Sequence, residues 1–182
     1  MPAEPSTPLE HITLGGGCFW CLEAVYEQVR GVVAVESGYC NGHVQQPRYE
    51  QVCEGTTGHA EVVQLSFDPS VVSLRQLLEV FFVVHDPTTL NRQGHDIGTQ
   101  YRSGIYLHHE GQRAVAEAVL AEVQAAHGGR AVTELLPRQN HWPAEAYHQH
   151  YFAQHPNQGY CAMVVAPKVK TFQQTFAALR KG

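Results

Sequence analysis

Residues 11–40 read HITLGGGCFWCLEAVYEQVRGVVAVESGYC, and the order of elements in this stretch decides the fold class. His11 to Leu14 reads as a short strand that enters the glycine run Gly15-Gly16-Gly17. Leu22, Val25, Tyr26 and Val29 then fall at helical spacing, and Gly31 stands where a helix stop is expected. Val32 to Tyr39 is β-branched and reads as a second strand. Cys18 therefore sits near the start of the first helix, behind what the glycines predict to be a flexible hinge.

The same alternation continues outward. Ala60 to Phe67 is a strand closed by the Asp68-Pro69 turn, and Ser73 is a good N-cap for a helix over Leu74 to Val84, whose Leu77, Leu78, Phe81 and Phe82 form an apolar stripe. Arg102 to Leu107 reads as a strand, Gln112 to Ala126 as a helix and Val132 to Leu136 as a strand. A short helix is expected over Pro143 to Phe152, loop over most of Pro156 to Lys170, and a final helix to about Leu179. Asp86 to Gln100 is a long polar loop, a length that usually signals function in a compact domain. Some connections are too short for regular parallel crossovers. The prediction is an α+β fold, a two-layer sandwich with a central mixed β-sheet flanked by helices (a ferredoxin-like α/β roll), in one domain over 1–182 with an irregular arm over 1–10.

Composition narrows the function. With 12 Lys+Arg against 17 Asp+Glu the formal charge is −5, which argues against a general grip on phosphate backbones or anionic lipid. No apolar run reaches the ~18 residues that span a bilayer, and the first ten residues carry acids and prolines where a signal peptide carries a basic patch. A soluble cytoplasmic monomer, with no nucleic-acid or membrane partner, is expected. Five cysteines (Cys18, Cys21, Cys40, Cys53, Cys161) are an odd number and argue against a structural disulfide framework.

Chemistry concentrates around Cys18. A thiol at a helix N-terminus faces unpaired N–H groups and the positive end of the helix dipole, which favours thiolate. Phe19 and Trp20 offer an apolar wall beside the sulfur. Glu61 begins an apolar strand, where partial withdrawal from water raises a carboxyl pKa and suits it to donate a proton. Gly94 to Arg102 packs Asp96 and Tyr101 into the long loop, and Cys161 follows a glycine in a segment expected to be mobile. Cys18-x-x-Cys21 also fits a thioredoxin-type thiol–disulfide oxidoreductase. The 12 histidines invite a metal-binding module, but no His-Glu-x-x-His or second Cys-x-x-Cys completes a site, and no metal is expected.

The segments GGGCFWCLE, SGYCNG, PRYEQVCEGTTGHAEV, HDPTTLNRQGHDIGTQYRS, PAEAYHQHYF and HPNQGYC, in this order, resemble the peptide methionine sulfoxide reductases of the A type. The resemblance implies reduction of the S epimer of methionine sulfoxide, free or in proteins, without a resident cofactor, using thioredoxin or another external dithiol. It implies Cys18 as nucleophile, Phe19 and Trp20 as the methyl pocket, and Glu61 as the acid. Tyr49, Asp96 and Tyr101 correspond to residues around the sulfoxide oxygen, and Cys161 to a recycling cysteine. Three departures stand out: Cys21 is a glycine in many members, Cys40 replaces a small residue, and Ala146 replaces an acid before Tyr147, which puts one secondary hydrogen bond in doubt. Between Cys161 and Cys21 the resolving thiol stays open.

Overall fold

A computed structural model describes residues 8–181. Strand β1 (Glu10–Gly15) leads through Gly16 and Gly17 into helix α1 (Phe19–Tyr26), and β2 (Val32–Cys40) follows. A short helix α2 (Tyr49–Cys53) precedes β3 (Ala60–Phe67) and helix α3 (Leu74–Val84). The hairpin β4 (Arg92–Gln93) and β5 (Asp96–Ile97) comes next, then β6 (Gly104–Leu107), helix α4 (Arg113–Ala126) and β7 (Glu134–Pro137). The chain ends with β8 (Trp142–Pro143), α5 (Tyr151–Gln154) and α6 (Ala166–Thr175). The expected arm falls mostly on residues 1–7, outside the described residues, and Glu10 already belongs to β1.

The main sheet has the order β7-β6-β1-β3-β2-β8, antiparallel throughout except for the parallel pair β6 and β7. This is the mixed sheet flanked by helices that the short connections required. Its two faces follow from the two-residue period of a strand. On β3, Glu61, Val63, Leu65 and Phe67 share the face covered by the helices, while Ala60 and Val62 join Cys40 and Tyr106 in a small cluster on the other. Glu61 thus enters the main core in phase with three apolar side chains. Helix α3 starts as its sequence demands: Ser73 Oγ accepts from Gln76 N–H at 3.1 Å and Ser73 N–H donates to Gln76 Oε1 at 2.9 Å. Among the described residues, no helix is long and apolar enough to cross a membrane.

Four local expectations are corrected. The glycine run is packed rather than hinge-like: a Cβ on Gly16 would sit 3.0 Å from the His85 ring, and one on Gly17, at φ +89°, would lie 2.9 Å from Gln93 Cβ. Asp86–Gln100 is organised as a hairpin, pinned where Gln93 donates from Nε2 to Asp86 O at 2.5 Å and accepts from Asp86 N–H at 2.9 Å. Residues 143–152 form β8, a 3₁₀ turn at Ala146–His148 and the single turn of α5 instead of one helix. The tail is helical from Cys161, a π-helical turn over Cys161–Val165 running into α6. Pro167 is accommodated where the π-helical turn passes into α6, a point at which the regular ladder of backbone hydrogen bonds is already interrupted.

Gly17→Ala is therefore expected to cost about 1–2 kcal/mol from its positive φ alone, with a further penalty from the crowded Gln93. Thermal unfolding checks this, and because Gln93 anchors the hairpin that carries Asp96, turnover should fall as well.

Candidate active site

Cys18 is the N-cap of α1, in extended conformation at φ −62° and ψ 129°, and is 9% exposed. The strand-to-helix turn places it over the start of β3, where Glu61 is 1% exposed. Glu61 Oε1 accepts from the Phe19 N–H at 3.3 Å, while Oε2 is buried without a partner. Burial pushes the Glu61 carboxyl up to about 8; the Phe19 N–H opposes the rise and the Asp96 charge adds to it. The acid is therefore held protonated at neutral pH, with one oxygen buried and unpartnered.

The expected thiolate is not what the environment favours. Burial raises the Cys18 thiol well above its ordinary value, Glu61 and Cys21 add to the rise, and a backbone hydrogen bond from Trp20 only partly opposes it. Withdrawal of the sulfur from water outweighs what the helix start offers it, the Trp20 N–H, while the Phe19 N–H is donated to Glu61. A resting pair of protonated thiol and protonated acid results, and the proton on sulfur must leave before attack.

Aromatic side chains enclose this pair. Phe19 is fully buried, with Tyr39 and Tyr49 at centroid distances of 5.7 and 6.5 Å. The Trp20 ring stacks on Tyr151 at 3.8 Å and 4°, with Tyr160 edge-on at 5.8 Å. The hydroxyls of Tyr49 and Tyr101 are both raised by burial first; Glu61 and Cys18 push both further, and Cys53 is a nearer influence on Tyr49. Both phenols thus stay neutral near the acid and thiol, the Tyr49 hydroxyl bonding to Cys53. Asp96, delivered by the hairpin, accepts from the Tyr160 hydroxyl at 2.5 Å. The structure brings Cys18, Phe19, Trp20, Tyr49, Glu61, Asp96 and Tyr101 into one site, as the sequence motifs suggested.

Two further thiols lie behind it. Cys21, 1% exposed, is raised by burial, with Lys168 and the Tyr160 hydroxyl opposing and Asp96 and Cys161 adding. Cys161 is buried in the π-helical turn rather than carried on a mobile loop, and burial raises its thiol too. Cys21 thus lies within electrostatic reach of Cys18, and Cys161 within reach of Cys21, and all the cysteines are unpaired. Cys40 is buried at the end of β2, and Cys53, exposed at the end of α2, hydrogen-bonds with the Tyr49 hydroxyl.

Sequence reasoning missed Glu145. It accepts from the Tyr39 hydroxyl at 3.0 Å, from the Tyr49 N–H at 3.2 Å and from the Tyr147 hydroxyl at 3.1 Å. The acid absent at Ala146 therefore leaves no gap in this network. His148, taken for one of many surface or structural histidines, is 2% exposed against Tyr49. No spacing signal in the histidine-rich segment marked either residue.

The pattern of the peptide methionine sulfoxide reductase family matches residues 10–180. The chain belongs to that family. It is an oxidoreductase, and reduction of methionine sulfoxide is the activity its relatives are named for. The peptide methionine sulfoxide reductase MsrA of Saccharolobus solfataricus is 55% identical over 168 residues, covering 92% of this chain and 95% of the relative. The crystal structure of Mxr1 from Saccharomyces cerevisiae in reduced form has a TM-score of 0.80 at 38% identity, covering 87% of this chain and 91% of that one. Mxr1 in complex with Trx2 matches with a TM-score of 0.57 at 29% identity, covering 83% and 89%.

Replacing Glu61 by Gln should push two reactivities of this reductase in opposite directions. Alkylation of Cys18 by iodoacetamide should titrate at lower pH, since a charge that opposes thiolate is gone, while sulfoxide reduction slows. Stability should change as well. The carboxyl titrates higher in the folded than in the unfolded chain, so stability falls as pH rises from the ordinary 4.5 to about 8. The Glu61→Gln protein should escape this loss, and its melting temperature should gain on wild type between pH 5 and 8.

Proposed function

We propose that this reductase acts on the S epimer of methionine sulfoxide, free or within proteins, with Cys18 as nucleophile and Glu61 as proton donor. The observation that carries the reading is the buried, protonated Glu61, one oxygen free, beside a thiol at a helix start. Sulfoxide oxygen leaves sulfur only when protonated, so thiol attack needs an acid within the same dry enclosure. Phe19 and Trp20 supply the apolar wall for the methyl group, and Tyr49, Asp96 and Tyr101 surround the oxygen. Asp96 and Tyr160 also line a cavity of about 710 Å³, which leaves room for the polypeptide flanking an oxidised methionine.

The steps balance as follows. The Cys18 thiol releases its proton to water, and the resulting thiolate attacks the sulfoxide sulfur while Glu61 gives its proton to the oxygen. The hydroxyl passes to Cys18, leaving methionine, a Cys18 sulfenic acid and a Glu61 carboxylate that regains a proton from water. Cys18 sulfur is oxidised by two electrons and the substrate sulfur reduced by two. The Cys161 thiol attacks the sulfenic sulfur and expels its oxygen as water, leaving a Cys18–Cys161 disulfide; in the relay route Cys21 makes that attack, and Cys161 then attacks Cys21, freeing Cys18 and leaving a Cys21–Cys161 disulfide. An external dithiol of the thioredoxin class then reduces the disulfide by exchange; the Trx2 complex of Mxr1 supports this partner. The five unpaired cysteines suit a reducing cytoplasm, where the enzyme repairs oxidised methionine.

Each pure epimer, supplied with a dithiol, tests the reading. The S epimer should be consumed and the R epimer left, Cys18→Ser should be inactive while folded, and Glu61→Gln should slow single turnover by on the order of 10²–10⁴-fold. Equal rates on both epimers, or turnover by Cys18→Ser, would contradict it. Mass mapping of the disulfide formed after one equivalent of sulfoxide should find Cys161 paired in wild type. Normal disulfide formation and thioredoxin-supported turnover in Cys161→Ser would remove Cys161 from the resolving step.

A further inference from the structure

The aromatic pocket is held from behind by two residues with no part in the steps above. The Trp20 indole N–H donates to His148 Nδ1 at 3.2 Å. A ring nitrogen that accepts carries no proton, so the neutral His148 has its hydrogen on Nε2. Nε2 is buried, has no hydrogen-bond partner, and lies 4.0 Å from Glu145 Oε2. The same Oε2 accepts from the Tyr49 N–H at 3.2 Å, and Oε1 accepts from the Tyr39 hydroxyl at 3.0 Å. The imidazole also packs at 4.3 Å from the Tyr49 ring and 5.3 Å from the Phe19 ring.

Stacking and hydrogen bonding fix different freedoms of an indole. The parallel contact with Tyr151 sets the plane of Trp20 but permits the ring to slide and rotate within it. A hydrogen bond at the indole edge removes that freedom. Glu145 does the equivalent for Tyr49 by fixing its backbone at the first residue of α2. The anionic form of Glu145 is the one these contacts need: burial would raise its carboxyl, but the hydrogen bonds from its own backbone, Tyr39, Tyr49 and Tyr147 outweigh that and hold it below the ordinary value.

We propose that His148 and Glu145 are positioning residues for sulfoxide reduction, acting together to lock Trp20 and Tyr49, which both pack on the His148 imidazole. The proposal rests on the reading of Trp20 and Tyr49 as pocket walls. Neither positioning residue touches the reacting sulfur or oxygen. Their effect falls on substrate binding and orientation, where small displacements of a wall cost rate without changing the chemistry.

The test combines nitrogen-15 labelling of the indoles with steady-state kinetics on the S epimer. The resonances of Trp20 and Trp142 are told apart by Trp142→Phe. In His148→Leu the Trp20 indole proton should move toward the position of an unbonded N–H, and KM should rise by roughly threefold to tenfold, the worth of one hydrogen bond. His148→Asn, whose side-chain oxygen replaces the Nδ1 acceptor, should restore both. Glu145→Ala should raise KM similarly, and the double variant with His148→Leu should be no worse than the poorer single one, as in a coupled chain. An unmoved indole resonance in His148→Leu, additive effects in the double variant, or an Asn variant with restored resonance but unrestored KM would overturn the proposal. A normal KM in Trp20→Leu would overturn it too, with the fault then in the pocket assignment, since the indole shift would still report the hydrogen bond.

Discussion

One contact organises this protein: the Phe19 N–H, first of helix α1, donating to Glu61 Oε1 on strand β3. It ties the helix start that carries Cys18, the proposed nucleophile, to the strand that carries Glu61, the proposed acid, and it does so inside the main core. A carboxyl buried there with its second oxygen unpaired costs stability, and the loss is kept small only because the group stays protonated. The same protonation makes it a donor. The strain on the fold and the capacity for chemistry have one source.

The surroundings follow from that constraint. Water must be kept from Glu61 for its proton to be retained, so the enclosure is aromatic: Phe19, Trp20, Tyr49 and Tyr101 pack where smaller or charged groups would admit solvent. Phenols suit this role because burial pushes their ionisation further up and leaves them neutral donors toward a developing S–OH. The price of a dry site is a thiol that does not ionise readily at rest. Nucleophile and acid are thus matched as a neutral pair, and charge develops only when substrate is between them.

Much of this was legible in the sequence, and the exceptions have physical causes. Strand β3 and helix α3 were readable to the residue because period-two alternation and the Ser73–Gln76 capping box act locally. Glu61 could be identified as buried from phase alone, since it shares a face with Val63, Leu65 and Phe67. The thiolate expectation at Cys18 did not hold because a helix dipole argument counts N–H groups, and the sequence does not show how far the folded core withdraws this sulfur from water. The expected loop over most of Pro156 to Lys170 is instead helical from Cys161, held by Cys161, Val165, Val169 and Phe172 packing into the main core. Glu145 and His148 were invisible for a different reason: their contacts reach Tyr39, Tyr49 and Trp20 across the fold, and no local pattern encodes them.

The protonation state of Glu61 in the resting enzyme is the most direct point of contact with experiment. Infrared difference spectra between wild type and Glu61→Gln, titrated from pH 5 to 10, isolate the carbonyl band of this single carboxylic acid. The band should be present at pH 7, shifted as expected for a group in a dry environment with one hydrogen bond, and should disappear near pH 8. A carboxylate signal already complete at pH 6 would contradict the account, because the proton that the sulfoxide oxygen requires would not be there to give.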